Sequence, residues 1–512
     1  MKKNNTIIGS ALLVMIVMLL SKCMGFIRQV VIANTYGANS VTDIYFISSE
    51  FMLGLSGALL ASLTTALITI YIDVSVKKSK EDANAVASKM LTLFLFAGGL
   101  FILLTNLFMP FIAKLLAPSY DAALMSELIK YLRIFSVTFI FTAFQSIYAA
   151  VLNANNSFVP GKLYGIVYNP IAIFSMLLLS RKIGINALVF AYFAGNIAQT
   201  LLLKQLCKNT FNFKPSVNFA DEHLKQLILL SLPLLVSNIF IQLNNVIDKA
   251  ICSMLGEGIA SNYSYAFTLE QFVSATITAT LSLILLSHYA KYAAENNTKM
   301  LVKTFKESLG GLIILLVPIS LVACTMSYDI VSIVYLRGEF TQSAAEYTSQ
   351  ALIGFGLGFA LVAIREMYIR VHLSFQNTRM PMIANIVSVI LNAVMSIALA
   401  NFIGILGISL ATTLSVIVAI IMLNKSVKRY IPDFKFISMG ILIAKVLISC
   451  AVSFFVIILL KNIPVSNTLI RFIIASAGGL GIYIIMLILL RCDELLVLIN
   501  NTRLQIKNKL KK

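Results

Sequence analysis

"SKCMGFIRQVVIANTYGANSVTDIYF", Ser21 to Phe46, sets Lys22 and Arg28 inside a segment that is otherwise apolar from about Thr6 onward. The preceding run, "TIIGSALLVMIVMLL" (6–20), carries no charge at all. Residues 6–34 together are long enough to cross a hydrocarbon core of ~30 Å at 1.5 Å per residue. A cation at the centre of such a helix costs roughly 2.5–3.5 kcal/mol on insertion scales. Two on one span need either a partner or a task. A second apolar span follows at 43–73, and it brings Asp43 and Glu50 with it.

The rest of the chain repeats this pattern. Of 512 residues, 59% are hydrophobic and 12% charged, with a mean hydropathy of +0.91, whereas soluble domains carry about 25% charged residues. About fourteen stretches can cross a bilayer: 6–34, 43–73, 86–114, 126–152, 160–180, 184–206, 225–254, 261–290, 302–326, 346–373, 381–402, 405–424, 436–460 and 468–490. The short alternating segments of a transmembrane barrel are missing. The expected fold class is therefore an all-α polytopic membrane protein.

The net charge of +19 does not point to nucleic acid, because the basic residues collect in short loops between spans. "KKSKED" (77–82), "KQLCKNTFNFK" (204–214), "KYAAENNTKMLVKTFKE" (291–307), "NKSVKRYIPDFK" (424–435) and the basic tail 491–512 fall on one side. By the positive-inside rule that side is cytoplasmic, and an even number of spans puts both termini there. The first segment lacks a small-x-small cleavage site at "SKCMGF", so it is expected to be retained as a helix. Six scattered cysteines without a CxxC and three dispersed histidines argue against a disulfide framework and a zinc site. With no tryptophan, the interfacial belts fall to tyrosine.

The chain also matches itself. "YGANSVTDIYF" (36–46) pairs with "LGEGIASNYSY" (255–265), "NNSFVP" (155–160) with "QNTRMP" (376–381), and "IGINALVFAY" (183–192) with "IGILGISLAT" (403–412). The spacings are 219, 221 and 220, and each match lies between corresponding spans. The expected organisation is two six-helix parallel repeats, 1–215 and 216–430, followed by two C-terminal helices in 431–490 and the tail. Repeats of this kind bind substrate between them.

Catalytic motifs are missing: no nucleophile elbow, P-loop or H-E-x-x-H is present. What remains are ionisable residues at membrane depth, which mark substrate or ion paths. Lys22 and Arg28 either snorkel to an interface or line a wet cavity and hold an anion, for which arginine and lysine are the usual phosphate ligands. On a straight helix they lie ~120° apart, and Gly25 between them permits a bend. Asp248–Lys249 reads as a mutual or interhelical ion pair or, with Asn244, Asn245 and Asn392, as a cation site. Arg365–Glu366 reads as a pair that neutralises itself.

These residues resemble the lipid II flippase (MurJ/MviN) family of the multidrug/oligosaccharidyl-lipid/polysaccharide exporter superfamily. The similarity rests on "SK-x-x-GF-x-R", "IA-x-x-YGA" and "TD-x-YF" in the opening stretch, on "YLRGEFTQSAAEYTSQAL" (335–352), on "QNTRMP", and on "QLNNVIDKAICSML" (242–255). It implies fourteen helices around a central cavity in the bacterial cytoplasmic membrane, and transfer of an undecaprenyl-pyrophosphate-linked saccharide by alternating access. It also implies no catalysis, and a lipid-linked saccharide, membrane lipid and other envelope-building proteins as partners. Position by position, it sets Lys22 and Arg28 as pyrophosphate cations, Asp43 as the acid at the start of helix 2, and Arg370 as the basic residue of helix 10. Arg365 is a further candidate cation of the cavity. For the sodium site of some members, Asp248, Asn392 and Thr412 match, while Ser396 stands where an acid is expected. The family's paired helix 2 arginines fall on Ser56 and Gly57, and its helix 8 arginine on Thr268. The expected substrate is lipid II. A capsule, teichoic or other exopolysaccharide precursor is the alternative. A drug/cation antiporter of the superfamily would need an acidic cavity, against which Lys22 and Arg28 argue.

Overall fold

The computed structural model describes residues 2–216, 222–434, 436–492 and 494–495, and among them there is no strand. The chain divides into two compact units, Met1–Ser264 with Arg337–Thr341, and Tyr265–Leu336 with Gln342–Lys512. The first holds α1 (Lys2–Tyr36), α2 (Ser40–Lys77), α3 (Lys80–Leu107), α4 (Met109–Leu116), α5 (Ala122–Ser136), α6 (Phe139–Ala154), α7 (Tyr164–Ile183), α8 (Asn186–Cys207) and α9 (Glu222–Leu255). α10 (Ile259–Ala294) starts in the first unit and runs on into the second. The second unit continues with α11 (Thr298–Thr325), α12 (Ser327–Tyr335), α13 (Gln342–Gly356), α14 (Phe359–Ser374), α15 (Arg379–Val427), α16 (Gly440–Lys461) and α17 (Thr468–Leu489).

Local chemistry sets the helix starts. Asn39 and Thr42 form a capping box at α2, and the side chains of Ser79, Asp121 and Asn467 cap α3, α5 and α17. Each satisfies amide donors that the first helical turn leaves free. The outward faces are apolar: Leu103, Leu178, Phe402, Ile437 and Ile441 are all at least 68% exposed. Water does not tolerate so many such side chains, whereas hydrocarbon does.

Ten helices among the described residues are long and apolar enough to cross a membrane, or eleven if α13 and α14, bent by 41°, form one span. One of the spans missing from the expected count of about fourteen is hidden by a merged helix. α15 has 49 residues, or ~73 Å at 1.5 Å per residue, which is over twice a ~30 Å core. It breaks at Ile403 and Gly404, which leave helical geometry, and the expected spans 381–402 and 405–424 lie on either side of that break.

Three pairs of backbone breaks recur at one spacing. α5 and α6 meet at a break after Ser136, and α13 and α14 meet at one after Gly356, 220 positions later. Gly184 (φ 56°, ψ −138°) and Gly404 (φ 59°, ψ −139°) turn equivalent corners, again 220 apart. Asn156 (φ 64°) and Gln376 (φ 58°) are a third such pair. Each ends its helix in the same way, with Ser157 N–H bonded to Leu152 O and Asn377 N–H to His372 O, the six-to-one bond of a Schellman ending. The sequence match of "NNSFVP" to "QNTRMP" at 221 is thus one residue out of register with the backbone.

Each unit has its own core. In the first, Phe94, Phe139 and Tyr148 pack with the aliphatic faces of α2, α3, α6 and α8. In the second, Phe305 makes edge contacts with Tyr368 and Phe434 at 5.1 and 4.9 Å, at the centre of a cluster reaching α16 and α17.

Candidate functional site

α1 is one continuous helix through Gly25, so the bend that this glycine permits is not used. Lys22 and Arg28 therefore stay ~120° apart around its axis. Both are partly exposed and lie in the membrane span Leu13–Tyr36. The Lys22 turn rests on α7 and the chain before it: Ser21 Oγ donates to Lys162 O at 3.3 Å, and Asn169 Nδ2 donates to Ser21 O at 3.3 Å.

Arg28 sits among tyrosines. Its Cζ lies 5.0 Å from the centroid of Tyr168, and Tyr45 and Tyr164 complete the surround. Tyr164 stacks on Tyr168 at 5.4 Å, and Tyr192 meets Tyr168 edge-on at 5.7 Å, so the ring under the guanidinium is itself fixed. No carboxylate among the described residues pairs with Arg28, and its buried Nε has no hydrogen-bond partner. A desolvated cation–π contact is worth ~2 kcal/mol, against roughly 2.5–3.5 kcal/mol for the charge at membrane depth. The cage offsets part of that cost. It leaves the positive charge available.

Asp43 has a different task. It is wholly buried, and its oxygens accept from Gly258 N–H (2.7 Å), Ser261 N–H (2.6 Å) and Ser261 Oγ (2.6 Å) at the start of α10. An acid there satisfies free amides and complements the positive end of the helix. Glu257 returns the service, accepting from Ser40 N–H at the start of α2 at 3.0 Å. Asp43 is occupied in joining two helix starts and does not present a free carboxylate to a ligand.

Lys249 is paired with Glu50 of α2, donates to Phe46 O at 3.4 Å, and is 6% exposed at its side chain. The interhelical reading of this lysine holds, with Glu50 rather than Asp248 as partner. Asp248 accepts instead from Tyr263 OH at 2.8 Å and Asn244 Nδ2 at 3.4 Å. In the second unit, Asn392 Oδ1 accepts from Ser396 Oγ at 3.2 Å, and Thr412 Oγ1 donates to Ile408 O at 3.3 Å. Asp248 lies in the first unit, whereas Asn392, Ser396 and Thr412 lie in the second.

Also in the second unit, Glu366 lies between two arginines on α14, 3.5 Å from Arg365 and 3.4 Å from Arg370. Neither arginine Nε finds a partner. The group is net positive by one charge, so Arg365 is only half neutralised by its neighbour, because Arg370 shares the same acid. Ser56 spends its hydroxyl on Met52 O at 2.8 Å, and nothing lies within 4 Å of where a Gly57 side chain would begin. The tyrosine cage escaped sequence reading because all its members but Tyr45 lie far along the chain from Arg28. Their one signal was Tyr164 and Tyr168, four apart and hence on one helical face.

A buried acid elsewhere in the second unit is equally informative. Asp329 of α12, about 1% exposed, is held by Arg471 of α17, whose Nε donates at 3.1 Å, and by Lys461 of α16 at 3.7 Å. It fastens both C-terminal helices to the bundle.

Comparison with known proteins agrees with this architecture. The chain is 23% identical over 487 residues to the Rickettsia prowazekii (strain Madrid E) "Probable lipid II flippase MurJ", covering 94% of this chain and 95% of that one. It is 23% identical over 490 residues to the Thermotoga maritima protein of the same description, covering 93% and 95%. Among solved structures, "Lipid II flippase MurJ, inward closed conformation" superposes with a TM-score of 0.80 at 23% identity, over 93% of this chain and 98% of that one. An inward-facing multidrug resistance MATE family transporter of the MOP superfamily gives 0.70 at 12% identity, over 81% and 98%. The family model described as "Lipid II flippase MurJ" matches residues 32–476, and the chain belongs to that family.

Proposed function

We propose that this protein is a lipid II flippase of the bacterial cytoplasmic membrane, moving the undecaprenyl-pyrophosphate-linked peptidoglycan precursor from the inner to the outer leaflet. The observation that carries this reading is Arg28, a cation at membrane depth with an aromatic floor and no carboxylate partner among the described residues. A pyrophosphate brings about two negative charges, which Arg28 and Lys22 neutralise together with charge-assisted hydrogen bonds. The polyprenyl tail stays in hydrocarbon. An apolar groove of about 660 Å³ between α11 and α17, lined by Leu312, Leu315, Pro318, Leu480 and Ile484, suits such a chain. Both termini face the cytoplasm on this reading, because the basic loops mark that side.

The test is replacement. A bacterium depleted of its own lipid II flippases should grow when it carries this chain, with labelled lipid II becoming accessible at the outer face. Lysis with lipid II confined inside, while intact protein is present in the membrane, overturns it. The reading that then takes over is a flippase for another lipid-linked saccharide, favoured by the uncharged Ser56, Gly57 and Thr268 where relatives are expected to carry arginine.

A further inference from the structure

Two ion pairs of this chain are built with opposite asymmetry. Around Asp329 the acid is the fixed half: its side chain is 1% exposed, while those of Lys461 and Arg471 are 36% and 29% exposed. Between α2 and α9 the cation is the fixed half. The Lys249 side chain is 6% exposed and that of Glu50 39%. A buried acid with cations outside it fastens helices. A buried cation whose acid stays outside is arranged to let the acid go.

Lys249 does not follow the acid out. Its ammonium donates to Phe46 O at 3.4 Å and lies 5.7 Å from the centroid of the Phe46 ring. Among the described residues, Glu50 is its only carboxylate partner. Glu50 itself lies ~15 Å along the membrane span Ser40–Lys77, at 1.5 Å per residue. A lysine that loses its acid at that depth stays charged and desolvated, and another anion has to replace it.

The surroundings suit such an exchange. Phe46 meets Tyr45 edge-on at 5.5 Å, and Tyr45 belongs to the surround of Arg28, so one aromatic strip joins the two cations. One turn along α2 from Glu50, an added Cβ at Gly54 would collide with the Gln242 amide of α9. Gln242 and Asn245 line the small cavity beside the ion pair, and their amides are donors for phosphate oxygens. With Glu50 in place that cavity holds about 10 Å³, room for no more than one water. An incoming anion therefore takes the position of the acid and does not join it.

We infer that Glu50 is a built-in stand-in for the anionic headgroup: a phosphate of the carried lipid displaces it from Lys249, and its return ejects the phosphate. Lys249 is then a further binding cation, where Ser56 and Gly57 of α2 supply none. The inference rests on the proposed transport of a polyprenyl pyrophosphate, but not on which saccharide it bears. The test titrates the purified full-length chain with farnesyl pyrophosphate, a short prenyl pyrophosphate without sugar, and reads affinity by calorimetry. Glu50→Gln removes the competitor and should bind about fivefold tighter or more, whereas Lys249→Gln should bind about fivefold weaker. Glu50→Asp, which keeps the charge, should stay within about twofold of the unaltered chain. In the double variant the gain from Glu50→Gln should vanish. A pair that only fastened α2 to α9 would give no gain from either single change. Melting temperature is read in parallel; if Lys249→Gln unfolds, the sign of the change in Glu50→Gln decides alone. Weaker, unchanged or undetectable binding in Glu50→Gln overturns the inference, as does a gain that persists in the double variant. Loss of binding in Arg28→Ala, with affinity unaltered in the Glu50 and Lys249 variants, strikes this inference and leaves the proposed function standing. Failure of the chain to replace a lipid II flippase, with the Glu50→Gln gain intact, does the reverse.

Discussion

Arg28 in the first unit and the Arg365–Glu366–Arg370 group in the second solve one problem in opposite ways. Each places guanidinium charge in a helix that crosses the membrane. Around Arg28 the compensation is a quadrupole, the face of Tyr168 at 5.0 Å, which lowers the cost without cancelling the charge. On α14 the compensation is a carboxylate shared by two cations, which cancels half of it. An aromatic cage keeps a cation ready for a mobile anion. A shared acid keeps two cations in place. On the proposed function, the first site is the one on which transport should depend.

The sharpest way to break this comparison is Arg28→Ala. Transport should be abolished, with a loss of over about a hundredfold, while insertion and abundance stay near normal; Arg28→Lys should retain part. Full activity would return Arg28 to an interfacial anchor. Removing only the floor should cost less: Tyr168→Leu should slow transport about tenfold, from ~1–2 kcal/mol of lost cation–π contact, with Tyr168→Phe within about threefold of wild type. Equal defects in the two variants would mean that the hydroxyl matters and the ring does not. Next, Glu366→Gln, which keeps an acceptor between the arginines, should leave transport within about threefold. A collapse like that of Arg28→Ala would make the acid part of the transport cycle and erase the contrast.

Asp329→Asn sharpens it from the other side. Lys461 and Arg471 are about a third exposed at their side chains, so solvent shares their charge once the acid is gone. The expected loss is about 1–2 kcal/mol of stability with transport retained, read as a lower unfolding midpoint in detergent. The smallest effect should come from Asp248→Asn, which should weaken any dependence of transport on sodium. Sodium-independent transport by the unmodified protein would remove that site from the mechanism.

Hydrophobicity made the membrane class legible, and the corners at Gly184 and Gly404 were visible as matching "IG" pairs because only glycine suits their torsions. The breaks after Ser136 and Gly356 were not. The first has no glycine or proline to mark it, so helix propensity runs straight through. Arg28 was legible because a charge at membrane depth is expensive. Its tyrosine floor was not, since a cation–π contact leaves no pattern in the neighbouring sequence. Asp43 was legible only in part: an acid early in a span announces that it must be satisfied, but not that a helix start over two hundred residues away supplies the donors.

The paired corners also predict the shape of a mutational landscape. At Gly184 and Gly404 nothing stands within 4 Å of an added Cβ, so every substitution there meets the same torsional obstacle and no steric one. A saturation library should show a plateau at each, glycine standing alone above nineteen alternatives that barely differ. At Asn156 and Gln376, where side chains already occupy the left-handed region, the same library should show a gentle slope, with glycine and asparagine at its top.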